Sequence, residues 1–108
     1  MNAPLTVPMG ADEQVSDFLR RHDAEEGFRT LGEIVRECYP EAIRLAAEVE
    51  ADVYDPTRRY VVVRVTLAAD HPSERTREQW QRCTERTIER LPNSQLPLFV
   101  VTEDYAEV

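Results

Sequence analysis

The chain has 108 residues, of which 42% are hydrophobic and 31% charged, and this composition describes a single globular domain. Its net charge is −8, and all 13 basic residues other than histidine are arginine. A field of this sign repels phosphate backbones, so we expect no DNA or RNA binding by the isolated chain. No apolar run approaches the roughly 20 residues that span a membrane, and the N-terminus has no export signal. We therefore expect a cytoplasmic protein that does not contact membranes.

Two helical patterns occupy the first part of the chain, after a predicted flexible tail at residues 1–10. The remaining residues, 11–108, are predicted to form the single domain. Apolar residues recur at three- and four-residue spacing from Val15 to His22 and again from Phe28 to Cys38. At about 100° per residue these two stripes point in opposite directions, so one straight helix cannot carry both. The pattern predicts a break between the two helices, with Asp23 as the N-cap of the second.

A strand pattern begins after Pro40, where the hydrophobic period changes from 3.6 to 2. Apolar and polar residues alternate from Ile43 to Tyr54, which is typical of a half-buried strand. Turn-forming residues follow at 55–58, and a second strand rich in valine runs from Tyr60 to Ala68. These segments predict an antiparallel hairpin.

The register of this hairpin follows from its apolar faces. Two residues that lie opposite each other on paired strands point to the same face of the sheet. The apolar residues of both strands have odd numbers, so both sets face the core only if the numbers of two opposed residues add up to an even value. A sum of 114 places Glu50 opposite Arg64 and Tyr54 opposite Tyr60 on the outer face. The same register places Val53 opposite Val61 on the core face and is our prediction; the complementary pair Glu50–Arg64 was not used to choose it.

A third helix is predicted from Ser73 to Arg90, with Trp80, Cys83 and Ile88 on its apolar stripe, and a short strand follows at 98–102. The fold class is therefore α+β with the order α-α-β-β-α-β. We expect a three-stranded, mostly antiparallel sheet with helices on one face and the last strand parallel to the second. This order loosely resembles a ferredoxin-like domain without its first strand. It also resembles one form of the KH RNA-binding domain, although the chain has no Gly-x-x-Gly loop.

The outer face of the hairpin is the first candidate for a functional surface. It carries five residues that are candidates for partner binding, namely Glu50, Tyr54, Tyr60, Val62 and Arg64. No predicted helix covers this face, and Tyr and Arg are enriched at interfaces. A stabilising cross-strand aromatic pair explains the two tyrosines equally well.

The junction at Asp70–Ser73, before the third helix, is the second candidate. A helix N-terminus there would bind an anion or small molecule beside Ser73, and His71 would exchange protons near neutral pH. Ordinary capping of the helix accounts for the same residues.

Metal and cofactor chemistry have little support in the sequence. Cys38 and Cys83 lie on apolar stripes and are expected to be buried free thiols. They are not close in sequence to either histidine, so we expect no metal site. Only three glycines are present, and they form no phosphate-binding loop, so we expect no cofactor.

These observations favour a small acidic, non-enzymatic protein-interaction module, such as a regulator or an antitoxin-like partner of another protein, which would be basic. The alternative is an anion-binding or small-molecule-binding domain, or an enzyme, that uses the Asp70–Ser73 corner. The last strand would leave an unpaired edge, so we expect a homodimer formed by edge pairing, with a monomer as the alternative.

Overall fold

The computed structural model describes residues 9–107, which form an α+β domain with three helices and a four-stranded mixed sheet. The elements in chain order are β1 (Met9–Ala11), α1 (Glu13–Arg21), α2 (Glu25–Cys38), β2 (Arg44–Ala51), β3 (Arg59–Leu67), α3 (Ser73–Arg90), a short 3₁₀ helix (Leu96–Leu98) and β4 (Phe99–Tyr105).

The antiparallel hairpin and the last strand, parallel to the strand before it, are confirmed, but the sheet has one strand more than predicted and is mixed. Its order is β1-β2-β3-β4, and β1 pairs parallel with β2, β2 antiparallel with β3, and β3 parallel with β4. The prediction of three mostly antiparallel strands was wrong because β1 was assigned to the flexible tail, of which residues 1–8 lie outside the described part of the chain. Each parallel pair is adjacent, whereas a ferredoxin-like domain splits its parallel strands, so that resemblance does not extend to the sheet.

In the hairpin, the numbers of two opposed residues add up to an even value, as predicted, but this value is 110 and not 114. Ala47 lies opposite Val63, and Tyr60 lies opposite Glu50. The strands end earlier than predicted because the Asp52 carboxylate accepts the backbone N–H of Tyr54 at 2.8 Å and folds the chain into a loop. Tyr54 is therefore 96% exposed in that loop, and the predicted Tyr54–Tyr60 pair does not form.

The break between the first two helices is confirmed, although its capping residue is not the predicted one. Asp12 caps α1 by accepting the backbone N–H of Val15 at 3.1 Å. Asp23 does not cap α2; the N-cap position belongs to Ala24. Asp23 instead adopts a left-handed backbone conformation with φ of 51°, which turns the chain between the helices.

The core lies between the helices and one face of the sheet. Four alternating residues of β3 are fully buried on this face: Val61, Val63, Val65 and Leu67. They belong to one cluster with apolar residues of all three helices, among them Val15, Leu31 and Cys83. Burial of each such side chain contributes roughly 1.5–3 kcal/mol, so this face stabilises the domain. The opposite face, which we call the open face, is not covered by any helix in the described residues.

Candidate functional site

Strand β4 is an edge of the sheet. Among the described residues it pairs with β3 alone, so the backbone groups along its other side have no strand partner. Such an edge accepts a further strand from another chain unless charge, proline or a covering element blocks it. The first half of β4, from Phe99 to Thr102, carries no charged residue.

Large apolar side chains gather beside this edge. Trp80 and Ile88 of α3 are 46% and 57% exposed, and Val100 of β4 is 42% exposed. They line a groove of about 410 Å³ between α3 and β4, whose deeper walls include Cys83 and Phe99. We call the surface formed by Trp80, Thr84 and Ile88 together with β4 the α3–β4 edge.

Three arginines of α3 are engaged on the opposite flank of the helix, toward α2. Three arginine–glutamate pairs join α3 to α2 and to the segment that follows it: Arg75–Glu41 at 2.6 Å, Arg86–Glu37 at 2.9 Å and Arg90–Glu33 at 3.5 Å. The flank that faces the groove carries Trp80, Thr84 and Ile88 together with the exposed Arg77, which lies between them around the helix. Aromatic and apolar residues with an arginine are typical of the centre of an interface.

Four of the five residues predicted for partner binding share the open face, and Tyr54 lies apart from them. Arg64 is bonded to two carboxylates of β2: its Nε donates to Glu48, and its Nη2 donates to Glu50 at 2.6 Å. Val62 is only 4% exposed, and Tyr60 is half-buried. The open face thus carries its own ion pairs, and it also presents Val100, which lies opposite Val62 and is 42% exposed.

The predicted Asp70–Ser73 corner joins two parts of the fold. Ser73 is exposed and makes no capping bond, since the N-cap position of α3 is Pro72. The His71 ring is buried, with Nε2 2.9 Å from the side-chain oxygen of Gln79 and Nδ1 3.8 Å from the carboxylate of Glu41. Hydrogen bonds from Arg75 hold the pKa of Glu41 below its usual range. His71 is accordingly part of a structural polar cluster and does not face an open cleft.

Both cysteines are buried free thiols, as predicted. Burial raises the pKa of Cys83 to about 12 and also raises that of Cys38. A raised thiol pKa disfavours the nucleophilic thiolate, so neither residue has the environment of a catalytic cysteine.

The residues that sequence reasoning missed are Trp80 and Ile88, which were assigned to the core stripe of the third helix. Ile88 lies about 140° around the helix from the buried Cys83, too far for one core face, and this angle was a usable signal.

Among residues 9–107, no group of three or more His, Cys, Asp or Glu side chains could hold a metal ion, and none of the helices is long and apolar enough to cross a membrane. Comparison of the chain with protein-family models, curated proteins and solved structures finds no match. The class that the fold defines is therefore an α+β domain with a four-stranded mixed sheet and one apolar edge.

Proposed function

We propose that this chain is a non-enzymatic protein-interaction module that forms a twofold homodimer through the α3–β4 edge. The observation that carries the proposal is the coincidence of an unpaired edge strand with the exposed apolar side chains Trp80, Ile88 and Val100. Exposed apolar area next to unpaired backbone is typical of surfaces that another chain covers.

The relative position of α3 and β4 supports a second copy as the occupant. The hydroxyls of Thr76 and Tyr105 lie 2.8 Å apart and fix the two elements against each other. With rises of about 1.5 Å per helical residue and 3.3 Å per strand residue, Thr84 lies level with Thr102. A single twofold axis can therefore pass beside both residues.

Packing about this axis is self-complementary. Antiparallel pairing of β4 with its copy places Thr102 opposite Thr102; the hydroxyl of this residue is buried within the chain, so the pairing here is between the strand backbones. In the same arrangement the two α3 helices run antiparallel, and Trp80 of each copy meets Ile88 of the other. Backbone pairing of the strands and aromatic–aliphatic contacts both stabilise such an arrangement.

Charge and area agree with this occupant. Two chains of net charge −8 repel each other, and they approach best through a flank with few charges. The edge measures roughly 25 Å by 20 Å, so two copies would bury on the order of 1,000 Å², the lower limit for a specific interface.

The test is the oligomeric state across the micromolar range by sedimentation equilibrium. We expect a dimer for the natural chain and a folded monomer for the double variant Trp80→Glu, Ile88→Glu. The matched control is Val53→Glu, Tyr54→Glu, which changes two exposed residues of the β2–β3 loop and leaves the dimer intact. A monomeric natural chain, or a double variant that remains dimeric, would refute the proposal. The single tryptophan gives a second readout, since its emission shifts to the blue as Trp80 becomes buried.

The dimer would bind a further protein of basic charge, as the sequence suggests. The acids Glu48, Glu50 and Asp104 surround Arg64 on the open face, and Tyr60 lies on the same side. Strand pairing would join two such faces side by side. If this face binds the partner, Tyr60→Ser weakens binding of a purified partner and Tyr54→Ser does not, because Tyr54 lies in the loop. Equal effects of the two changes would show that the open face does not bind the partner.

The alternative predicted from the sequence, an anion site at the Asp70–Ser73 corner, has weaker support. The buried His71 ring and the amide of Gln79 already bond each other.

A further inference from the structure

A second cavity, of about 530 Å³, lies between the end of α1, the β2–β3 loop and the 3₁₀ helix. Three arginines, Arg21, Arg58 and Arg59, line it together with His22, while Phe18 and Leu98 give it an apolar wall. We call this space the arginine cavity. Its concentration of positive charge stands out in a chain whose net charge is −8.

The cations of this cavity are largely uncommitted. Arg64, Arg75 and other arginines of the chain bind carboxylates at ion-pair distance. Arg21 and Arg59 make no ion pair with any described residue, and Arg58 interacts with Asp55 across the loop. Asp17 lines the adjacent pocket together with Arg21 and Arg59, and it is paired with Arg20 at 3.0 Å. Three exposed guanidinium groups that line one cavity repel one another, and an anion between them removes this repulsion.

The cavity wall indicates what the anion carries. The rings of Phe18 and His22 lie 4.3 Å apart between centroids and are tilted by 37°. Phe18 is only 7% exposed and belongs to the core, so it supports the His22 ring from behind, and the exposed His22 ring gives a flat group a surface to stack against, beside the apolar side chain of Leu98. The volume falls within the roughly 300–1,000 Å³ usual for small-molecule sites.

We propose that the arginine cavity binds a small organic phosphate that carries a flat aromatic group, of the class of nucleoside monophosphates. Arg21 and Arg59 donate to the phosphate oxygens, with the bidentate geometry that guanidinium groups favour, and Arg58 adds a third positive charge. The aromatic group stacks on the exposed ring of His22. Free nucleotides differ from DNA and RNA in their access to the cavity. One phosphate can enter it, whereas a polyanion meets the acidic surface around it.

Calorimetric titration of the natural chain with adenosine monophosphate, inorganic phosphate and adenosine tests the proposal. We expect adenosine monophosphate to bind more tightly than phosphate, and adenosine to bind weakest. The double variant Arg21→Ala, Arg59→Ala should lose affinity by about tenfold or more, since two charge-assisted contacts disappear. The charge-matched control Arg29→Ala, Arg77→Ala changes two exposed arginines outside the cavity and should keep the affinity.

Three outcomes would overturn the proposal. No heat from adenosine monophosphate at millimolar concentration would show that the cavity takes no such ligand. Binding of adenosine as tight as that of its monophosphate would show that the arginines do not recognise phosphate. An equal loss in the control variant would assign the binding to overall charge. Thermal unfolding of each variant verifies that the fold is retained, and the outcome is independent of the oligomeric state.

Discussion

The hydroxyl of Tyr39 donates a hydrogen bond to the carboxylate of Glu103, and this contact ties the residue after α2 to the edge strand β4. Tyr39 is 1% exposed, so the bond lies where water competes weakly. It joins residues 64 positions apart in the chain and holds β4 beneath the helices.

The first prediction concerns alkaline pH. Burial, together with the bond to Glu103, raises the pKa of Tyr39 above its ordinary value. An unfolded tyrosine ionises near pH 10 whereas the folded one stays neutral, so the unfolded state binds fewer protons above that pH and stability falls as pH rises. Urea unfolding from about pH 8 to 11 should show this decline. The buried thiols of Cys38 and Cys83, whose pKa values are also raised, contribute to it from about pH 8, so the part that should become smaller in Tyr39→Phe is the further fall above about pH 10. Tyr54→Phe, at an exposed position, is the control. An unchanged decline in Tyr39→Phe would contradict the assignment.

The second prediction concerns the ion pairs of the open face. Arg64→Ala should lower the free energy of unfolding by only about 1 kcal/mol, because its side chain and those of Glu48 and Glu50 are more than a third exposed and solvent screens them. The loss should shrink in concentrated salt. Val63→Asp should instead unfold the domain, since it buries an unpaired charge at a fully buried position. Chemical denaturation at low and high salt measures both effects, and a salt-independent loss in Arg64→Ala would argue for packing instead of charge.

The third prediction concerns the backbone of Asp23. Its φ of 51° is easily adopted by glycine and strained for a β-branched residue. We expect Asp23→Gly to leave the melting temperature unchanged or slightly higher and Asp23→Val to lower the stability by roughly 1–2 kcal/mol. Differential scanning calorimetry compares the two variants. Equal melting temperatures would show that the left-handed conformation is not maintained in solution.

The fourth prediction concerns the thiols. Because Cys38 and Cys83 are buried and burial raises the pKa of both, a thiol-specific reagent near pH 8 should label neither in the folded chain. Denaturant should expose two reactive thiols per chain. Rapid labelling of the folded protein would mean that α2 and α3 separate readily.

The sequence was a better guide to which residues face the core than to where the strands end. Alternation fixes the face of every residue in β2 and β3, and the even sum of the register follows from it. The shift of four between the predicted and observed sums arises at Asp52, whose carboxylate closes the loop early through two backbone N–H groups. Alternation contains no information about such a bond. The apolar residues after Asp52, including Val53, therefore continue the alternating pattern although they lie outside the strand.

Two other features depend on tertiary structure. Strand β1 is three residues long, and its strand conformation depends on pairing with β2, where Met9 lies opposite Leu45. Its own sequence has no periodic signal. The α3–β4 edge arises because β4 is the last strand of the sheet and α3 lies beside it. In the sequence, the exposure of Trp80 could be recognised only because the apolar stripe of α3 is wider than one core-facing side of a helix.

The strand order, which follows the chain order, has a consequence for how the protein folds. Every pairing in the sheet joins strands that are neighbours along the described chain, but only the β2–β3 hairpin closes a short loop, because helices connect β1 to β2 and β3 to β4. Low sequence separation between contacts favours rapid folding, so we expect the hairpin to form first and the outer strands to add to it. During synthesis β4 emerges after the other three strands, and it carries the exposed edge. Assembly with a second copy would therefore follow the folding of each chain, and a nascent chain would not offer its edge before its core has formed.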